Sequence, residues 1–299
     1  MNNRPKHLAE YALVKGIGAV VAPMPYRASL AFAWFTAKIS FPLIRKRVTK
    51  AEKRIMSVFG TSLSNSEIKM IAWESWRNTM FSGVEMLKCR HFSRGKLDSI
   101  YDYSETIETL KRHRDTHKGA VIALSHMGSW EMSAHAFRLN GIPVFAVGAE
   151  QKNPLVNAYI EQLRNIHTEE TVTRGSGSTR RILKLLKEGG FLLILPDVRV
   201  KSNGVAVPFL GGTANIGKGM ASLAGHADVP VFPVVLSRTN WHSHKMTVHP
   251  PLQADKKLDK QEDVKRITCT VLKIIDDAIR KDPAQWFWYN SRWILDPNT

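Results

Sequence analysis

The chain has 299 residues, of which 43% are hydrophobic and 23% charged, as is typical of a folded globular protein. Its 43 lysines and arginines against 26 acidic residues give a formal net charge of +17, so we expect an anionic partner: nucleic acid, an anionic membrane surface or an acidic carrier protein. Two cysteines, Cys89 and Cys269, are too few for a disulfide framework, and no CxxC pair suggests a metal site.

Residues 11–44 are strongly apolar, but the apolar run is interrupted. Three cations and two prolines break it: Lys15, Arg27, Lys38, Pro23 and Pro25. Neither half reaches the ~20 uninterrupted apolar residues that a spanning helix needs. We therefore predict two amphipathic helices that lie in a membrane interface, with packing of both helices on the main domain as the alternative.

A basic run, RKRVTKAEKR, follows at residues 45–54 and holds six basic residues and one acidic one. Such a run is usually a solvated helix face. Beside an apolar segment it also suits anionic head groups, at about 1 kcal/mol per well-placed cation. We therefore divide the chain at residue 50, into a membrane-associating helical segment (1–50) and a main domain (51–299).

The main domain begins with a predicted helix over 66–88, with Ser64 or Ser66 as its N-cap. Short apolar strands and helices then alternate. The predicted strands are 120–125, 143–148, 191–196 and 229–237, with 245–250 as a candidate fifth, and the predicted helices are 129–141, 153–166, 179–190, 217–227 and 261–283. This order predicts an α/β fold: a single domain with a largely parallel central sheet covered by helices, plus the N-terminal apolar helices.

The most informative motif is SHMGSWE, in which His126 directly follows a predicted strand and Glu131 lies in the first turn of the next helix. Sites in parallel sheets gather where strands end and helices begin. The positive end of that helix favours a neutral imidazole, and its free N–H groups can hold a developing negative charge. We expect Glu131 to fix the tautomer of His126 and to stabilise the imidazolium. A histidine base without a serine or cysteine nucleophile in the motif suits direct attack by a substrate hydroxyl or amine.

Three other motifs give weaker predictions. HRDTH at 113–117 holds two histidines four residues apart but has no third ligand nearby, so we interpret it, like HSH at 242–244, as a solvated loop. RGSGSTR at 174–180 lacks the GxSxG of a serine hydrolase. GTANIGKG at 212–219 matches GxxxxGK but has Gly219 where a Mg²⁺-binding Ser or Thr belongs, so we interpret it as a glycine-rich turn that caps a helix.

SHMGSWE resembles the HxxxxE motif of the lysophospholipid acyltransferase superfamily. Four further motifs narrow the resemblance to the bacterial lipid A late acyltransferases, the lauroyl and myristoyl transferases. In chain order they are NPLVNAYIEQLR, LLKEGGFLLILPDVR, VPFLGGTANIGKGMASLAGHADVPVFPVV and DPAQWFWYNSRWI. HxxxxE alone is a weak signal, whereas five motifs in order, over about residues 10–295, make a strong one.

This resemblance implies an O-acyltransferase whose catalytic domain is residues 51–299. His126 would be the general base and Glu131 its orienting partner. Arg164 matches the arginine that stabilises the thioester oxyanion, and Asp197 matches the aspartate of the Pro-Asp segment. We also predict three substrate-binding residues: Ser129, Arg174 and Arg199.

The implied donor is a fatty acyl thioester on acyl carrier protein or coenzyme A. The implied acceptor is a hydroxyl of a lipid A precursor or a related glycolipid or phospholipid, at the cytoplasmic face of the bacterial inner membrane. No cofactor and no metal are implied. The alternative is a basic nucleic-acid-binding protein without catalytic activity, but the chain shows no nucleic-acid-binding motif. An inactive scaffold is a third reading, against which the intact His126 and Glu131 argue.

The chain departs from the family pattern in two places. VGAEQKNP lacks the arginine that often precedes Asn-Pro, and Glu150 stands close by. Val198 and Arg199 follow Asp197 in place of polar or acidic residues. Both changes lie on the predicted acceptor side, so they bear on the substrate more than on the type of reaction.

Overall fold

The computed structural model describes residues 4–148, 151–173 and 177–295. Its helices are α1 (Pro5–Val21), α2 (Tyr26–Leu43), α3 (Arg45–Phe59), α4 (Asn65–Lys88), α5 (Arg94–Asp98), α6 (Ser104–Arg114), α7 (Trp130–Leu139), α8 (Pro154–Asn165), α9 (Ser178–Lys187), α10 (Gly219–Ala227) and α11 (Lys260–Lys281). Its strands are β1 (Tyr101–Asp102), β2 (Ala120–Leu124), β3 (Val144–Gly148), β4 (Glu170–Thr173), β5 (Phe191–Ile194), β6 (Gly204–Phe209), β7 (Gly212–Gly217), β8 (Val231–Asn240) and β9 (Ser243–Val248).

Seven strands form the central sheet in the order β1-β9-β8-β2-β5-β3-β4. Every pairing in it is parallel except that of β8 with β9, which form an antiparallel hairpin. The prediction of an α/β fold with a largely parallel sheet is therefore confirmed. Strands β6 and β7 pair separately, as an antiparallel hairpin.

Both faces of the sheet are covered, as the unbroken apolar strands predict. All five residues of β2 are buried. Because successive side chains of a strand point to opposite faces, Val121 and Ala123 belong to one apolar cluster while Ile122 and Leu124 belong to the other. Strand β2 is thus the centre of the molecule, and whatever follows it lies at the middle of the sheet edge.

The N-terminal helices pack on the rest of the molecule. Helix α2 lies along α4, and the buried ammonium of Lys88 on α4 donates to the carbonyls of Val21, Ala22 and Met24, at the corner between α1 and α2. Ser64 caps α4 in a reciprocal pair with Glu67, so the predicted helix and one of its two candidate caps are confirmed.

The two apolar helices predicted in residues 11–44 are present as α1 and α2. In the part of the chain that the structure describes, no helix is both long enough and apolar enough to cross a bilayer. Residue 50, where the sequence suggests a division, falls inside α3. Both the division and the membrane association stay predictions.

Three local interpretations need correction. His113 belongs to α6 rather than to a loop, and its Nε2 lies 2.9 Å from the carbonyl of Gly119, whereas His117 does lie in an exposed turn. His244 lies on β9 and is 2% exposed. Residues 212–217 form β7, whose residues alternate between buried and less buried positions, so this glycine-rich segment is an amphipathic strand before it leads into α10.

Candidate active site

The register of the sheet brings His126 and Asp197 together. Ala123 of β2 pairs with Ile194 of β5, and His126 and Asp197 each lie three residues beyond that pair. The ring Nδ1 of His126 is 2.7 Å from Oδ1 of Asp197, and the backbone N–H of His126 donates to Oδ2 at 2.8 Å. Since a carboxylate only accepts, Nδ1 carries the proton and Nε2 is the basic nitrogen.

A segment from the end of the described chain fixes this pair from the other side. Trp286 donates its indole N–H to Oδ2 of Asp197 at 2.8 Å. Met127 forms an antiparallel bridge with Trp286, and the N–H of Phe287 donates to the carbonyl of His126 at 3.2 Å. Asp197 thus accepts three hydrogen bonds and is only 2% exposed. Trp286 lies within the motif DPAQWFWYNSRWI, but its role cannot be predicted from the sequence, because only the fold shows what it contacts.

The electrostatics of this pair shift both of its pKa values. Burial alone would lower the pKa of His126, but the charge and hydrogen bond of Asp197, with the charge of Glu131, raise it above its ordinary value. Burial would likewise raise the pKa of Asp197, but the charge of His126 and the donated hydrogen bonds hold it below its usual value. From the sequence, the positive end of the helix is expected to favour the neutral ring, but Asp197 and Glu131 set the net direction and raise the pKa of His126.

Glu131 has a different partner from the one predicted. It lies in the first turn of α7, and Arg164 of α8 clamps it in two contacts: Nη2 to Oε1 at 2.6 Å and Nε to Oε2 at 3.3 Å. The prediction that Glu131 orients His126 is wrong, because the guanidinium binds both Glu131 oxygens and Asp197 binds the ring. Glu131 acts on His126 through its charge, and it orients Arg164.

The three predicted substrate-binding residues differ in what the structure shows. Ser129, at the N-cap position of α7, is fully buried, and its hydroxyl has no hydrogen-bond partner among the described residues. Arg199 is half-buried and forms an isolated bridge with Ile216. Arg174, like Glu150, lies outside the described residues. The substrate-binding role of all three stays a prediction.

An apolar cavity of about 560 Å³ opens beside these pairs, within the range of small-molecule sites. His126, Glu131 and Arg164 line it. Most of its remaining wall is aliphatic, including Leu124, Ala134, Leu163, Ile182, Leu193, Met220 and Leu223. Gly217 and Gly219, from the segment that resembles a phosphate-binding loop, also line this cavity, so they border space suited to an alkyl chain.

Three buried side chains behind the cavity, Cys89, His167 and His135, contact one another in a row that the sequence does not predict. His167 lines the cavity, its Nε2 lies 3.1 Å from Sγ of Cys89, and its Nδ1 lies 2.9 Å from Nδ1 of His135. Burial, with the repulsion of His135, lowers the pKa of His167 to about 3. The cavity wall is therefore uncharged at this point. Across the described ranges, no cluster of three or more His, Cys, Asp or Glu side chains is arranged to hold a metal ion.

The edge of the sheet combines a histidine base paired with a buried carboxylate, a guanidinium and an apolar cavity wide enough for an alkyl chain. This combination fits an acyltransferase. Comparison with known families agrees. The chain belongs to the bacterial lipid A biosynthesis acyltransferase family, whose model matches residues 2–294. The resemblance found in the motifs is confirmed, and the protein is an acyltransferase that acts on a lipid.

The chain is also similar to a phosphatidylinositol mannoside acyltransferase of Mycolicibacterium smegmatis (strain ATCC 700084 / mc(2)155). The two are 26% identical over 218 residues, which cover 71% of this chain and 68% of that protein. A nucleic-acid-binding protein without catalytic activity would account for the net charge but not for this family membership.

Proposed function

We propose that the protein transfers a fatty acyl chain from an acyl thioester, carried on acyl carrier protein or coenzyme A, to a hydroxyl of a lipid A precursor or a related glycolipid or phospholipid. One observation carries this proposal. The wall of an alkyl-sized cavity holds both a base, His126 backed by Asp197, and a cation, Arg164.

The chemistry follows from these positions. Nε2 of His126 accepts the proton of the acceptor hydroxyl as its oxygen attacks the thioester carbonyl. The resulting oxyanion is stabilised by Arg164 and by N–H groups at the start of α7. Nε and Nη2 of Arg164 donate to Glu131, so among the contacts of the described residues the N–H groups of Nη1 remain to donate to the oxyanion. The carbon–sulfur bond then breaks, and His126 returns the proton to the thiolate, which leaves an ester and a free thiol.

Exposed apolar side chains on α1 and α2 support a location at a membrane. Leu13 of α1 is 65% exposed, and Phe35 and Leu43 of α2 are 57% and 80% exposed. Phe35, Ile39 and Leu43 follow one another at four-residue steps, so they share a face of α2. The basic helix α3 follows directly. We propose that this face enters the interface of an anionic bilayer at the cytoplasmic side of the inner membrane, while α3 meets the head groups.

The acceptor is proposed at the level of a class. Acceptors with an anionic head group match the net charge of +17. The names of the similar protein and of the family each refer to a glycolipid, phosphatidylinositol mannoside and lipid A. The two departures on the predicted acceptor side, at 147–154 and 198–199, mark where the head group would be distinguished.

A thioester-release assay tests the proposal. Purified protein is mixed with acyl carrier protein or coenzyme A thioesters and with vesicles that contain candidate glycolipids and anionic lipid. Free thiol is measured, lipid extracts are analysed by mass spectrometry, and sedimentation of the vesicles reports binding. We expect acylated glycolipid with wild type and a loss of about 10²- to 10⁴-fold with His126→Ala. His226→Ala, which removes an exposed histidine of α10, should keep the full rate. A folded His126→Ala variant with the normal rate would contradict the mechanism.

A further inference from the structure

The helix that carries Arg164 has few anchors in the core. Helix α8 has 12 residues, about 18 Å in length, and Leu163 is its one fully buried side chain. Arg164 lies near its C-terminal end, so a small tilt of the helix moves the guanidinium. The placement of Arg164 therefore depends on what holds the other end of α8.

One buried side chain holds that end. Asn153 is 6% exposed and is the N-cap of α8: its Oδ1 accepts from the N–H groups of Leu155 and Val156 at 3.0 and 3.4 Å. Its Nδ2 donates to α1, to the carbonyl of His7 at 2.9 Å and to the carboxylate of Glu10 at 2.8 Å. The same amide thus caps the N-terminus of α8 and joins it to α1 through hydrogen bonds.

A second contact between α1 and α8 lies one and a half turns further along α8. The ring of Tyr159 meets that of Tyr11 edge to face, with 6.3 Å between ring centroids. Gly18 of α1 lets the tip of Tyr159 come close, because a Cβ at that position would lie 2.9 Å from its hydroxyl. Helix α1 is therefore the surface on which α8 rests.

We propose that Asn153 is a positioning residue for acyl transfer: by fastening α8 to α1 it sets the distance between Arg164 and the reacting carbonyl. The inference rests on the proposed function, and on the role of Arg164 in it. A displacement of about 1 Å at a catalytic group lowers a rate by up to about 10²-fold. Because the oxyanion exists only after attack, the effect belongs in kcat rather than in KM.

An exchange of groups tests the junction without removing the cap. Asp is as good an N-cap as Asn, so Asn153→Asp keeps α8 capped, but it removes the donor and sets a carboxylate against Glu10. We expect kcat to fall about tenfold or more with KM for the thioester unchanged. Adding Glu10→Gln places an amide at position 10 opposite the carboxylate now at position 153, so the hydrogen bond can form again in the reverse direction. The double variant should recover most of the loss in kcat.

Epistasis separates positioning from general stability. In an Arg164→Ala background, Asn153→Asp should have little further effect on kcat, because the group that it positions is gone. Gly18→Ala gives a second variant: alanine favours the helix, yet its Cβ presses on the Tyr159 hydroxyl, so kcat should fall without loss of stability. Gln162→Glu, on an exposed position of α8, is the matched control and should leave kcat unchanged.

Three results would overturn the proposal: an unchanged kcat in Asn153→Asp, losses that multiply with Arg164→Ala, or no recovery with Glu10→Gln. Hydrogen exchange of residues 154–165 gives a readout that does not need activity. Exchange should be faster in Asn153→Asp and return in the double variant. A wild-type protein without turnover would contradict the proposed function, while unchanged exchange would contradict the junction itself.

Discussion

Two carboxylate–guanidinium pairs in this molecule are each joined by two hydrogen bonds, but their surroundings differ. Arg238 clamps Glu85 through two contacts of 2.9 and 2.7 Å, as Arg164 clamps Glu131. The side chains of the Arg238 pair are 3% and 0% exposed, whereas those of the Arg164 pair are 28% and 17% exposed. Only the second pair lines the apolar cavity.

The surroundings of the first pair are those of a structural centre. Glu85 also accepts from the hydroxyl of Tyr26 at 2.6 Å, and its carboxylate lies 3.2 Å from Nε2 of His244. Burial alone would raise the pKa of Glu85, but the charges of Arg238 and His244 hold it well below its usual value. These contacts join α2, α4, β8 and β9, so the pair connects the N-terminal helices to the sheet. The comparison shows that burial and neighbours, more than the pairing itself, separate a structural ion pair from a functional one.

The largest expected effect is on folding, at the buried pair. Glu85→Ala leaves Arg238 as an uncompensated buried charge, which costs about 3–5 kcal/mol of stability. Urea denaturation followed by circular dichroism measures it. Glu188→Ala, which breaks a surface pair with Lys184, is the control and should change stability little. A Glu85→Ala protein as stable as wild type would show that the buried pair does not stabilise the fold.

The next effect is on catalysis, at the open pair. Arg164→Ala should lower kcat about 10²- to 10³-fold, which is about 2.7–4 kcal/mol of transition-state stabilisation. The midpoint of unfolding should move less than in Glu85→Ala, because this pair is 28% and 17% exposed rather than fully buried. Arg181→Ala, which breaks an exposed pair with Glu170, should change neither quantity. A large loss of stability in Arg164→Ala would mean that the two pairs do the same work.

The smallest effect concerns the pH dependence of the base. The neutral ring of His126 is the active form, so kcat/KM should rise with pH through a pKa above the ordinary 6.5. Asp197→Asn removes the charge that raises this pKa, so the acidic limb should shift to lower pH, with a lower plateau. Asp277→Asn, at an exposed pair with Lys273, should leave the profile in place. An unshifted limb in Asp197→Asn would contradict the assignment of Asp197 as the partner.

The sequence predicts the framework well, because the framework depends on local patterns. Buried apolar strands, the helix cap Ser64 and the family motifs can all be identified along the chain. Strand β4 was not predicted, since its residues ETVT show no apolar run. His244 was assigned to a loop, since nothing local indicates that Glu85, 159 residues away, is its partner.

The candidate site was predicted in its residues more than in its pairings. His126, Glu131, Arg164 and Asp197 do lie together. The pairing of His126 with Asp197 depends on β5 being the neighbour of β2, and strand order is a tertiary property. Glu131 stands at the predicted helix end, but the direction of its side chain is set by Arg164 on α8.

The bridge between Met127 and Trp286 also has a consequence for how the molecule forms. It closes a loop of about 160 residues, and contacts so distant along a chain form slowly because of the entropy of closing that loop. Until this loop closes, Asp197 lacks its indole donor, so the His126–Asp197 pair is complete only once the two distant segments have met.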